Sequence, residues 1–324
     1  MVDDGHHAYI ANNRGTPDAY GHTTLDVIND AKQYWDFSFD EMSYDALANM
    51  EAMYKSAGQK GTYFGYSQGT ASMFVALSRW ETQIAEWVNK AVMMGPCVIN
   101  NMAYVAKGLP LDPGFLPSVF NPLGIYSLGG PNWANDSENI CNNVPDFCDF
   151  AKAIPEGAIA SAIKGSDHPM QLFNTGRFAT YVENFSAENN QGELYDVEGI
   201  NTIPISFIVS PNDKYCLSEA TLEMSKRLST MENFTYIEGE ESGHLLFGYS
   251  SNPNLVRAFK RELESAVSGE GVTNFDTVYL DKEYVEPVEQ DDLDELWDIL
   301  FDSSVSMVAP AATLTALFAA AMLQ

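Results

Sequence analysis

Residues 62–77 read TYFGYSQGTASMFVAL, and this stretch decides the fold. Tyr63 and Phe64 close a short apolar run, Gly65-Tyr66-Ser67-Gln68-Gly69 bends sharply, and from Thr70 small and apolar residues recur at helical spacing. The pattern predicts strand, tight turn, helix, with Ser67 at the tip of the turn. Two glycines flank it where strand and helix backbones crowd, and the amide of Gln68 opens the helix, so it points its N–H toward any anion forming at the serine. A G-x-S-x-G spacing arises by chance too often to carry weight alone. The strand before it and the helix after it give it meaning.

Working outward from the turn, a serine used as a nucleophile needs a base within hydrogen-bond reach and an acid to orient that base. The chain has five histidines. His6, His7 and His22 precede the serine, and His168 lies in an irregular central region. His244 falls after the last strand-like run. Ile205 to Ser210 is apolar and runs straight into Pro211-Asn212-Asp213, which places Asp213 at a strand end. A turn-forming aspartate and a surface-loop histidine are the plainer readings of these two residues. The order Ser, Asp, His, with each residue just beyond a strand, favours catalysis. The candidate assignment is Ser67 as nucleophile, Asp213 as orienting acid, His244 as general base and the Gln68 backbone amide as an oxyanion donor.

The flanking pattern predicts an α/β class, an α/β-hydrolase fold with a mostly parallel central sheet and an inserted helical cap. His7–Ala11 reads as a short strand. Ser38 and Glu41 have capping-box spacing ahead of a helix ended by Gly58, and Ala91–Met94 is a buried strand. Pro110, Pro113, Pro117, Pro122, Gly129, Gly130 and Pro131 then interrupt short helical pieces, Met102–Ala106 and Ala158–Ile163 among them. Strand and helix resume with residues 203–209, 218–228, 234–237 and 254–267. The expected division is a hydrolase core over 1–96, a cap over 97–198, the closing part of the core over 199–268, an acidic linker over 269–304 and an apolar tail over 305–324.

A net charge of −28 without clustered Lys or Arg argues against a nucleic-acid partner. Much of the charge lies between Glu270 and Asp302, opposed there only by Lys282, which reads as a solvated acidic linker. Cys97, Cys141, Cys148 and Cys216 lack metal-ligand spacing, and no histidine pair accompanies them, so zinc is not expected. Cys141 and Cys148 can close a short disulfide loop. Sequons at Asn135, Asn184 and Asn233 fit a glycosylated secretory protein. The opening residues, MVDDGHHAYI, do not form a signal peptide. Val305–Leu323 is long and apolar enough to span a bilayer and suggests membrane association, with small residues at Asp302, Ser303 and Ser304 ahead of it that resemble a lipid-anchor attachment site.

Five segments together resemble the acid lipases, the gastric and lysosomal acid lipase type of the α/β-hydrolase superfamily. They are YIANNRGT ending at Thr16, WDFSFDEMSYD from Trp35, the GYSQGT turn, HPMQLFNTGRF from His168 to Phe178, and GHLLFG from Gly243. The resemblance covers roughly residues 6–265. It implies a serine hydrolase of neutral-lipid esters, triacylglycerols or sterol esters, acting at a lipid–water interface in a secreted or endomembrane, lysosomal setting, with the same Ser67, Asp213, His244 and Gln68 in their roles. It also implies about three strands ahead of YIANNRG and a His-Gly loop carrying a second oxyanion amide. Neither is in this sequence, which is therefore expected to be part of a longer protein. The acyl pocket is expected to draw on Phe115, Leu116, Phe120 and Phe173. The alternative is a non-catalytic lipid-binding protein on a hydrolase fold.

Overall fold

The computed structural model describes residues 5–97, 112–155, 160–239, 243–244, 246–249, 252–268 and 274–280. The one-turn helix α1 (Ala31–Tyr34) leads into α2 (Phe39–Ala57). Ser38 and Glu41 form the full capping box at its start, and Gly58, at φ 68°, closes it in the left-handed conformation. Phe39, Met42, Ala46 and Met50 repeat at helical spacing and bury one face of α2.

Strand β1 (Gly61–Tyr66), helix α3 (Gln68–Ile84) and strand β2 (Val88–Met94) follow, then β5 (Ile205–Val209), α8 (Ser218–Ser225), β6 (Met231–Glu238), α9 (Leu246–Tyr249), α10 (Pro253–Ser268) and β7 (Asn274–Tyr279). The main sheet has the order β1-β2-β5-β6-β7, and every pairing is parallel. Alternate residues serve opposite faces. Ala91, Met93, Phe207 and Phe234 join α2 and α3 in one apolar cluster, while Val92, Met94, Ile208 and Ile237 join Leu255 and Ala258 of α10 in another. A strand buried on both faces has no polar alternation to show, which is why residues 91–94 of β2 and 207–209 of β5 read as continuous apolar runs.

Between β2 and β5 the chain adds α4 (Phe115–Phe120), the two-residue strands β3 (Ser127–Leu128) and β4 (Ser161–Ala162), and helices α5 (Trp133–Asn143), α6 (Cys148–Ala153) and α7 (Ile163–Thr175). Among the described residues, β3 and β4 pair only with each other. Leu116, Phe120, Ile125, Trp133, Ile140 and Ile154 form a third, separate apolar cluster. The Trp133 indole N–H donates to the carbonyls of Ala151 (3.2 Å) and Ile154 (3.1 Å), and Cys141 is disulfide-bonded to Cys148.

Several sequence expectations change. Residues 7–11 are not a strand: a ladder needs a neighbour, among the described residues this segment pairs with no strand, and Ile10 is 93% exposed. The helical piece expected at Ala158–Ile163 is a short strand at 161–162, and the helix starts only at Ile163. Within the expected acidic linker, residues 274–279 form β7, because β6 offers a free edge whose backbone pairing does not depend on side chains. Met102–Ala106 and the tail from 305 lie outside the described residues, among which no helix is long and apolar enough to cross a membrane. Of the three sequons, Asn233 is buried in β6 with its amide donating to both oxygens of Glu262, so a glycan has no access in the folded state. Asn135 and Asn184 are exposed.

Candidate active site

Ser67 joins β1 to α3 with φ 49° and ψ −113°, a backbone conformation that side chains rarely adopt. Its N–H continues the sheet ladder to the Met94 carbonyl (3.0 Å), and its own carbonyl accepts from the N–H (2.9 Å) and hydroxyl (2.5 Å) of Thr70. The serine is thus held between the last ladder bond and the first helical turn. A Cβ on Gly65 would stand 3.2 Å from the Gly69 backbone and 2.6 Å from the Tyr63 ring. On Gly69 the nearest atom would be the Tyr63 hydroxyl at 3.5 Å, an ordinary contact. Crowding therefore explains the first glycine and not the second.

The structure brings the three distant side chains together. His244 places Nε2 2.7 Å from Ser67 Oγ and Nδ1 2.6 Å from Asp213 Oδ2. With Nδ1 facing a carboxylate, the ring proton sits on Nδ1, and Nε2 accepts from the serine hydroxyl. Asp213 is buried, and its other oxygen, Oδ1, accepts from the N–H groups of Tyr215 (2.9 Å) and Cys216 (2.8 Å). Both carboxylate oxygens are therefore occupied and fixed in direction. Gln68 opens α3, where the first amides have no partner inside the helix, so its N–H is available beside Ser67.

Two tyrosines frame the imidazole, and sequence reasoning missed both. Tyr66 stacks at 5.2 Å from the ring and donates its hydroxyl to the His244 carbonyl (2.9 Å). Tyr215 lies 5.4 Å away on a loop beside Asp213, where burial and then the Asp213 charge raise its pKa. Tyr66 was in view inside the turn motif; only its partner, 178 residues on, was invisible.

An open pocket runs from Ser67 and His244 along Phe39, Ala71, Pro169, Leu172 and Phe173, with Ser161 and Ser166 also in its wall. Of the expected pocket residues only Phe173 lines it. Leu116 and Phe120 are spent in the third apolar cluster, with Phe115 packed against them. The wall comes instead from two of the motif segments meeting. His168 of α7 accepts the Phe39 N–H at Nδ1 (3.3 Å) and donates from Nε2 to the Ala179 carbonyl (2.8 Å). Burial lowers its pKa and keeps it neutral, as this bonding requires. His168 is a strut, well apart from the chemistry.

Cys97 and Cys216 form a second disulfide that the sequence reading did not pair. Their sulfurs and a ring nitrogen of His244 lie within 4.8 Å of one another. The grouping resembles a metal site, but its donors are committed: the sulfurs are bonded together, and both imidazole nitrogens face Ser67 and Asp213.

No family model matches the chain. Triacylglycerol lipase 1 of Arabidopsis thaliana is 26% identical over 205 residues, 56% of this chain and 50% of that protein. Human lysosomal acid lipase/cholesteryl ester hydrolase is 34% identical over 98 residues, 30% of this chain and 24% of that protein. The resemblance to acid lipases is thereby supported, and the chain spans half or less of the length of these relatives. A solved monoacylglycerol lipase of Paleococcus ferrophilus aligns over 70% of this chain and 75% of its own at 16% identity and a TM-score of 0.38, too low a likeness to add to the topology above.

Proposed function

We propose that this chain carries the catalytic centre of a serine hydrolase for carboxylic esters of neutral lipids, triacylglycerol or sterol ester. The observation that carries the reading is the continuous hydrogen-bonded line from Ser67 Oγ through His244 to buried Asp213 at the foot of a largely apolar pocket. The names of the similar proteins, a triacylglycerol lipase and a cholesteryl ester hydrolase, support the substrate class.

The geometry performs the reaction in two halves. His244 Nε2 takes the hydroxyl proton as Ser67 Oγ attacks the ester carbonyl, and the imidazolium that forms is stabilised by Asp213. Negative charge gathers on the former carbonyl oxygen beside the Gln68 N–H and the start of α3, both of which stabilise it. His244 then returns the proton to the departing alcohol, leaving the acyl group on Ser67. Water, deprotonated by the same Nε2, releases the acid. Phe39, Leu172 and Phe173 shed water when an alkyl chain lies against them, which favours binding by about 25 cal/mol per Å² of apolar surface covered. The segment from α4 to α7 acts as the cap over this site.

Two disulfides and two exposed sequons support a secretory or lysosomal setting. The deciding test is labelling by a fluorophosphonate, which reacts only with activated serines, together with hydrolysis of a short-chain ester. Both are expected in the parent and absent in Ser67→Ala. Equal turnover by the two proteins would reject the reading.

A further inference from the structure

Outside the proton relay, one set of contacts closes a ring around the site. Ser67 offers its carbonyl to the Thr70 hydroxyl (2.5 Å), and the same hydroxyl oxygen accepts the Cys97 N–H (3.3 Å). Cys97 is bonded to Cys216, whose N–H donates to Asp213 Oδ1 (2.8 Å). Asp213 Oδ2 holds His244 Nδ1, and His244 Nε2 returns to Ser67. The disulfide is the covalent link in this ring. It ties the chain leaving β2 to the turn that carries the acid, 119 residues away in sequence. Among the described residues, hydrogen bonds from the Gly95 N–H to the Ile208 carbonyl (2.8 Å) and from the Thr221 hydroxyl to the Pro96 carbonyl (3.3 Å) cross the same gap.

We propose that Cys97 and Cys216 are positioning residues for the proton relay and that their disulfide makes the activity thiol-sensitive. The inference rests on the serine hydrolase reading for its effect on turnover. Cys216 N–H is one of two donors that aim the Asp213 carboxylate, so loosening Cys216 lets that carboxylate swing off the imidazole. The sheet, whose strands are held by their own ladders, stays folded. Cys97 lines the pocket and is only partly buried, so a small reductant can reach it. With a dithiol such as dithiothreitol, one thiolate attacks a cystine sulfur and releases the other as a thiolate. The second thiolate of the reagent then closes its own disulfide and frees the first cysteine. Two electrons and two protons pass to the protein, and two cysteine thiols result.

Cys141–Cys148, in the cap segment, touches no group of this ring, so Cys141→Ala/Cys148→Ala is the background for the experiment. In that background, free thiols, cooperative thermal melting, ester turnover and the downfield proton resonance of His244 Nδ1–H are followed before and after dithiothreitol. Reduction is expected to expose two thiols and to lower kcat by about ten- to a hundredfold, with KM little changed, because a shift of about 1 Å in a positioned group costs that much. The downfield resonance should broaden or vanish while melting stays cooperative, and reoxidation should restore both signals. The double variant Cys97→Ser/Cys216→Ser should match the reduced protein without any reagent. Unchanged kcat and an unchanged resonance with both thiols titrated would overturn the proposal. So would loss of cooperative melting in both the reduced protein and the double variant, since the disulfide would then support the whole fold. If the oxidised protein turns over no ester, the hydrolase reading fails, and the resonance alone decides whether the disulfide aims Asp213 at His244.

Discussion

The sheet half of the molecule and the proposed cap half are built differently. The sheet half is a set of parallel ladders with helices on both faces, and the proposed catalytic residues stand at strand ends: Ser67 after β1, Asp213 after β5, His244 after β6. Among the described residues, the cap half has a two-residue ladder, one apolar cluster around Trp133, a short disulfide and the indole hydrogen bonds. In the proposed mechanism the sheet holds Ser67, His244 and Asp213 each within hydrogen-bond distance of the next, as proton transfer demands. The cap has only to present an apolar wall, which Leu172 and Phe173 provide from α7. In that proposal the ladders carry the chemistry, and the cap shapes what fits.

The largest effect expected from this contrast is at the strand ends. Asp213→Asn keeps the size and most of the bonding but favours the wrong imidazole tautomer, so kcat for a short-chain ester should fall about 10⁴-fold with melting unchanged. A loss under tenfold would show that the strand ends are less exacting than their geometry indicates. Next, Trp133→Ala removes the centre of the cap cluster and should cost about 3–5 kcal/mol of cap stability. If the halves are distinct, calorimetry will show a separate, lower transition for the cap, while fluorophosphonate labelling of Ser67 persists. A single shared transition would erase the distinction.

Within the sheet half, Gly65→Ala drives a methyl group toward the Gly69 backbone and should lower stability by about 1–3 kcal/mol, read by urea unfolding. Gly69→Ala meets only ordinary contact and enters a helix, so it should be neutral or slightly stabilising. Equal costs would mean that the turn needs both glycines.

The smallest effect lies in the cap. Burial pushes Asp136 up to about 6 against a usual 3.8, even though Asn132 donates to it. Since the folded pKa lies above the unfolded one, the neutral form is favoured by folding, and this contribution is complete below the unfolded pKa and lost as pH rises through about 6. Asp136→Asn should therefore melt a degree or two higher than the parent near about pH 7 and no higher near about pH 4. A constant difference across that range would show that the carboxyl is not held in its neutral form.

The contrast also explains what could be read in advance. The turn at residues 62–77, the capping box at Ser38 and Glu41 and the apolar strands are local patterns, and local physics reads them: period, propensity, and glycine where a Cβ cannot fit. The order of Ser67, Asp213 and His244 was legible because each follows a strand. The lost expectations all depended on neighbours. Residues 7–11 look like a strand but have no strand beside them, whereas 274–279 sit in an acidic run and pair because β6 presents a free edge. Phe115, Leu116 and Phe120 are as apolar as Phe173, and only packing separates the cap core from the pocket wall.

The sequence by itself determined the elbow, the parallel α/β sheet and the three residues that meet there, because periodicity and chain order carry that information. Tertiary structure alone decided that Tyr66 grips the His244 carbonyl, that Cys97 reaches Cys216, that Asn233 is spent on Glu262 and that α7 rather than α4 lines the pocket. Each of these is a contact between residues far apart in the chain. Its energy depends on distance and burial in three dimensions, and no short stretch of sequence records either.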